Sequence, residues 1–188
     1  EGETVQLHQA TLARPYGEIP IWLAGRGPRV LSLGGELADG VILDFLHETT
    51  LSASVDIVRN GAAVSGNSVD LSYSTSIVMT DDDLEAVRPH MTYRLCDSPA
   101  DVREQIGMTD KHVDRIRSAM AGGLHAAAKY VSDEWVLPFV IHGSEAECRA
   151  QLTELIETHS LTEFMLPVFE MENPRDYVER VGRLFERH

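Results

Sequence analysis

Short apolar runs alternate along the chain with longer stretches whose apolar residues recur at helical spacing. Ile19 to Gly25, "IPIWLAG", is an apolar run behind a turn rich in Pro and Gly, a pattern that predicts a strand buried on both faces. The run breaks at Gly25-Arg26-Gly27-Pro28, and Pro28 is well placed for the first turn of a helix. Val30, Leu31, Leu37 and Ala38 give that helix an apolar stripe, Asp39-Gly40 signals a turn, and Val41 to Leu43 begin a second buried strand. Thr49 or Thr50 is suited to cap the next helix, whose Leu51, Val55 and Val58 face inward.

Alternation at Val69, Leu71, Tyr73, Thr75, Ile77 and Met79 predicts a third strand. The aspartates Asp81 to Asp83 complement the dipole of the helix that follows, and a metal site is the sharper reading of the same triplet. From Pro99 to Val131 the pattern is one of short helices, with Thr109 as a cap, Val113, Ile116 and Met120 on one face, and Gly122-Gly123 as an interruption. Ser144 to Glu147, "SEAE", is a capping box that opens a helix from Glu145 to Thr158 with Leu152, Leu155 and Ile156 inward. Glu163 to Phe169 is a fourth strand, and Asn173-Pro174 caps a last helix carrying Tyr177, Val178, Val181, Leu184 and Phe185.

Four strand–helix repeats predict an α/β fold with a parallel sheet. A closed barrel needs eight such units and about 250 residues, so the pattern is that of half a barrel or of a small open sheet. The chain has 188 residues, 43% hydrophobic and 24% charged, enough for one domain with a real core. No run of about 18 apolar residues is present to span a membrane. The first residues, "EGETVQLHQATLARPYGE", lack the basic and apolar regions of a signal peptide, and without a Met they are expected to start inside a longer parent. A cytoplasmic location is expected. Cys96 and Cys148 lack metal-ligand spacing and are expected to be buried reduced thiols, with no metal bound.

Thirty acidic residues against sixteen basic ones give a net charge of −14, which repels nucleic acid and anionic lipid alike. So acidic a chain is expected to come from a halophilic source. Its melting temperature should then rise between dilute buffer and about 2 M KCl, as screening shortens to a few Å. A melt insensitive to salt contradicts this.

The Gly25–Pro28 loop has two readings. A glycine-rich loop that opens a helix is a ready anion site, to which Arg26 adds a charge-assisted contact. Alternatively Gly25 and Gly27 only permit a tight turn. The third glycine of the dinucleotide fingerprint is missing.

The segment "IPIWLAGRGPRVLSLGGELADGVIL" resembles the central part of the luciferase-like monooxygenase family, where a strand, a "GP", a helix ending "ELADG" and a second strand follow in order. "FVIHGSEAECRAQLTELIETHSLTEFMLPVF" is similar to a later segment of the same family, and the likeness runs from Glu1 to Glu170. The resemblance implies the C-terminal half, strands five to eight, of a (β/α)8 TIM barrel, with a helical insertion after strand seven at residues 99–135. Within the family the wording resembles the branch that uses the deazaflavin coenzyme F420, including methylenetetrahydromethanopterin reductase, with FMN as the alternative cofactor.

The family's cofactor-phosphate loop falls on Ala24, Gly25, Arg26, Gly27 and Pro28, although relatives often carry a small residue where Arg26 stands. The resemblance places Asp44 beside the cofactor, able to accept a hydrogen bond from substrate, and Phe45, His47, Phe169 and Glu170 around the substrate. The plainer alternative for His47 is a solvated loop histidine. His142 is expected to be a structural or surface residue, and Trp22 and Trp135 to be packing residues. Catalytic residues are unassigned, because the first four strands, which supply much of the ring pocket, lie outside this sequence. The implied activity is hydride transfer between F420 and a small-molecule substrate. A non-catalytic half-barrel that only binds cofactor, and an open sheet that binds a phosphorylated metabolite, are the other classes. Unpaired edges near Ile19–Ala24 and Glu163–Val168 imply pairing with a complementary half-barrel or homo-oligomerisation.

Overall fold

The computed structural model describes Gly17, residues 19–169 and residues 171–186. Two strand–helix units come first: β1 (Trp22–Gly25) with α1 (Pro28–Leu37), and β2 (Gly40–Asp44) with α2 (Glu48–Ser65). β3 (Asp70–Ser74), the short β4 (Ile77–Val78) and α3 (Asp81–Cys96) follow. The helices α4 (Ala100–Gln105), α5 (Asp110–Met120), α6 (Leu124–Ala128) and α7 (Asp133–Val136) then lead to β5 (Ile141–His142). α8 (Glu145–His159), β6 (Glu163–Met165) and α9 (Pro174–Arg183) complete the order.

The main sheet has the order β1-β2-β3-β6, all parallel, and β4 pairs with β5 in a second, two-stranded sheet. Register and alternation put Val41, Leu43, Leu71, Tyr73 and Phe164 on one face, packed on Leu31 of α1 and on Val55 and Val58 of α2. Each such side chain, fully buried, stabilises the fold by about 1.5–3 kcal/mol. A separate core gathers Met91, Leu95, Ile116 and Val136 from the helices between β4 and β5. Ile77, Ile141, Leu152 and Tyr177 form a third. Cys96 and Cys148 are buried free thiols, and burial pushes the Cys148 thiol up to about 11.

Several expectations need correction. β1 is not buried on both faces: Ala24 is exposed, Trp22, Leu23 and Gly25 are half-buried, and among the described residues only β2 pairs with it. The third strand is two strands. At Thr75 the hydroxyl donates to the carbonyl of Phe139 at 2.6 Å, and the chain passes from the β6 ladder to the β5 ladder. The fourth strand ends at Met165, short of the expected Phe169. On α1, Leu31 and Ala38 are buried, but Val30 and Leu37 face solvent. On α9, Val178 and Phe185 are likewise exposed.

The reason α1 is so narrow in its buried face is its crossing with α2, which is built on glycine. A Cβ on Gly35 would lie 2.0 Å from the carbonyl oxygen of Val58, and one on Gly61 would lie 2.3 Å from that of Ser32. Backbone stands against backbone there, so the neighbour cannot yield by changing rotamer. Gly35→Ala is expected to force the helices apart and lower stability by about 1–3 kcal/mol, measured by urea denaturation. An unchanged midpoint would contradict so close a crossing.

Among the described residues, no helix is long and apolar enough to cross a membrane.

Candidate functional site

The loops that follow β1 and β2 and the first turns of α1 and α2 meet around a cavity of about 430 Å3, at the carboxyl end of the sheet where parallel α/β folds bind ligands. Arg26, Gly27 and Pro28 form one wall, and Phe45, Leu46 and His47 another. Ser98, Pro99 and Phe139 close it from the helical segment. Five of the ten expected site residues therefore line one cavity.

Gly27 is the informative position. Its backbone, at φ −82° and ψ 141°, is extended and open to any residue, and a Cβ added there would meet no atom within 4 Å. Neither conformation nor packing asks for glycine, so the tight-turn explanation fails at this residue. Gly25 differs: a Cβ there would press on Val30 Cγ1 at 2.7 Å, so packing accounts for it. As the N-cap of α1, Gly27 has no side chain to accept from the first-turn N–H groups. α2, α3, α8 and α9 are each capped by a side chain, from His47, Thr80, Ser144 and Asn173, whereas α1, like the short helices α4, α6 and α7, is not. The uncapped start of α1 thus carries its partial positive charge into the cavity wall, beside half-buried Arg26. Ala24 and Gly25 do not line the cavity.

His47 is 5% exposed, not a solvated loop residue, and it takes the capping role expected of Thr49 or Thr50. Its Nδ1 accepts the Thr49 N–H at 3.2 Å, while its ring meets Phe139 edge-on at 5.2 Å. Burial lowers its pKa, opposed in part by Glu48, which favours the neutral ring that can cap. Phe45 is fully buried with φ 43°, a left-handed backbone that costs a β-carbon residue about 1–3 kcal/mol. Its N–H donates to the carbonyl of Ser74 at 2.9 Å, and the Arg94 guanidinium lies 4.3 Å from its ring centroid.

Asp44 stands beside this cavity and does not line it. Its carboxylate is held by Arg94 at 3.1 Å, and Arg94 also donates to the carbonyl of His90. Phe169 stacks on His90 with ring centroids 3.8 Å apart and lies 6.1 Å from Phe45. Asp44 and Phe169 therefore gather around Arg94 and His90, one side chain away from the cavity. Glu170 lies outside the described residues. Trp22 is a packing residue whose indole covers Gly40, and His142 is exposed. Sequence reasoning missed Arg94, His90, Ser98 and Phe139. Arg94 is 50 positions from Asp44, and no local spacing reports such a pair.

The parallel sheet, with helices between its strands and a cavity at its carboxyl edge, places the chain among α/β proteins. The chain belongs to the luciferase-like monooxygenase family, whose pattern matches residues 1–161. It is 29% identical over 166 residues to the 5,10-methylenetetrahydromethanopterin reductase of Archaeoglobus fulgidus, covering 82% of this chain and 50% of that protein. The protein of the same description from Methanolobus tindarius is 26% identical, over 84% of this chain and 51% of its own length. Among solved structures, the coenzyme F420 dependent tetrahydromethanopterin reductase of Methanopyrus kandleri superimposes with a TM-score of 0.72 at 23% identity, covering 88% of this chain and 49% of that one. An F420-dependent secondary alcohol dehydrogenase in complex with an F420-acetone adduct superimposes at 0.64 with 15% identity, over 100% of this chain and 55% of that one. The chain thus spans about half the length of the curated relatives it matches.

Proposed function

We propose that this chain is the cofactor-phosphate half of an F420-dependent oxidoreductase that transfers a hydride to or from a small organic substrate. The observation that carries this is Gly27, a glycine that neither φ nor packing requires, at an uncapped helix start in a cavity wall. The names of the relatives supply the cofactor: F420 carries a phosphate group, and the Arg26 side of the cavity suits one, while the lining's one carboxylate, Asp97, is paired with Arg117 at 3.3 Å. First-turn N–H groups of α1 and the guanidinium of Arg26 would hold it, and the open space at Gly27 lets it approach. F420, when bound, supplies the hydride chemistry. Phe45 and His47 shape the floor of the same cavity, and Arg94 keeps the Asp44 carboxylate oriented beside it.

The four-stranded sheet corresponds, in this proposal, to strands five to eight of a (β/α)8 barrel, with α4 to α7 as an insertion after strand seven. Its two edges, β1 and β6, leave Ile19, Ile21, Met165 and Val168 exposed, which suits pairing with a complementary half-barrel or a second copy. Mixing the chain with the first half of the Archaeoglobus fulgidus relative tests this. Oxidation of reduced F420 by substrate is expected in the mixture and in neither part alone. Cofactor binding without turnover in the mixture would favour a non-catalytic module instead.

A further inference from the structure

A second cavity, of about 560 Å3, opens between α5, α6 and α7 and shares no residue with the first. His112, Arg115, Lys129, Tyr130, Ser132 and Trp135 line it. Its charge is the opposite of the molecule's. The chain carries 30 acidic and 16 basic residues, yet the lining holds two cations and no carboxylate.

Both cations sit on one aromatic ring. The Arg115 guanidinium is 4.2 Å from the centroid of Tyr130, and Lys129 Nζ is 5.1 Å from it. Among the described residues neither forms an ion pair, whereas Arg88, Arg94 and Arg180 do. Lys129 first, then Arg115, pulls the Tyr130 hydroxyl below its ordinary pKa. Two further donors line the cavity. Ser132 begins α7, but its hydroxyl makes no capping bond. His112 Nδ1 accepts the Thr109 N–H at 3.2 Å, so the neutral ring keeps its proton on Nε2. Half-buried Trp135, with its ring centroid 4.8 Å from that of His112, supplies a flat apolar wall.

Two cations gathered at one ring repel each other, and a dianion bound among them removes that repulsion. A phosphate monoester carries about −1.5 to −2 charges at pH 7 and three acceptor oxygens, which matches a guanidinium, an ammonium and a hydroxyl better than a single carboxylate does. Asp114, Asp133 and Glu134 flank the lining along the chain without joining it, and Asp133 is paired with Arg88 at 2.6 Å; carboxylates farther off are screened at physiological salt, where the screening length is about 8 Å. We propose that this second cavity binds a small organic phosphate, with the phosphoryl group between Arg115, Lys129 and Ser132 and a planar ring against Trp135.

Adenosine 5′-monophosphate is the probe, titrated against the tryptophan fluorescence of the full chain carrying Trp22→Phe, so that Trp135 alone reports. Saturable quenching is expected, weakened about tenfold or more by Arg115→Gln or Lys129→Gln, both exposed positions that leave the fold intact. Adenosine should bind far more weakly, and so should inorganic phosphate. Adding Gly27→Asp should leave the quenching unchanged, which separates this site from the first cavity. Affinity unchanged from the parent chain in both charge variants, or no saturation below about 10 mM, overturns the proposal. Phosphate alone binding as tightly as the nucleotide overturns the role given to Trp135.

Discussion

Replacing Gly27 with aspartate is expected to leave the fold intact or firmer, and to weaken binding of a phosphate-bearing cofactor about 10- to 100-fold. The two halves of this expectation come from the same geometry. A Cβ at position 27 meets nothing, and φ −82° is ordinary for any residue. Aspartate is moreover among the best N-caps, because its carboxylate accepts from the first-turn N–H groups and complements the helix dipole. That same carboxylate then occupies the donors a phosphate needs and repels the phosphate itself. A substitution that stabilises the helix while weakening binding cannot be explained by damage to the fold. Thermal melts and cofactor titrations on the one variant check both parts. Loss of stability together with binding would instead mean that glycine serves the fold.

The largest effect on stability is expected at Asp83, where Asp83→Asn should cost about 3 kcal/mol. Asp83 is 5% exposed and fully engaged. Its Oδ2 accepts the N–H groups of Met79 and Thr80, each at 3.0 Å, which completes the capping box of α3. Both carboxylate oxygens accept from Arg180 of α9, at 2.9 and 2.7 Å. One residue thus ties the start of α3 to a helix 97 positions away. An asparagine offers an N–H2 where an acceptor is needed and leaves Arg180 without its charge partner. Burial alone would raise the Asp83 carboxyl, but the Arg180 hydrogen bonds, then those of Met79 and Thr80, outweigh it and hold the group below its ordinary value. A depressed folded pKa means that this stability is fully present above the unfolded value of about 4 and is lost as pH falls through the folded one. The gap between wild type and Asp83→Asn should therefore close on acidification below about pH 4, followed by urea midpoints across pH. A gap independent of pH would show that the carboxylate charge contributes nothing.

The parts of this fold legible in the sequence are those set by neighbours a few positions apart. The Ser144–Glu147 capping box, Pro28 at the start of α1 and Asn173 before α9 all stand where the local pattern puts them. Thr75 was illegible because apolar alternation continues smoothly through it, and its partner Phe139 lies 64 residues on. His47 hid for another reason: histidine is an uncommon cap, and only its burial against Phe139 makes it one. For the site, the loop and the residues after β2 were visible, since chain order alone brings the ends of adjacent parallel strands together. The Arg94 clamp on Asp44 depends on how α3 returns over the sheet, and the cation pair on Tyr130 on how α5 meets α6. No spacing along the chain encodes either.

The most direct measurement is a titration of the whole chain, wild type and Gly27→Asp, with coenzyme F420 and with FMN side by side, in high salt. Saturable F420 binding that is tighter than FMN binding, is displaced by inorganic pyrophosphate and is weakened about 10- to 100-fold in Gly27→Asp is the predicted result. F420 binding that survives Gly27→Asp unchanged, or a preference for FMN, would contradict it.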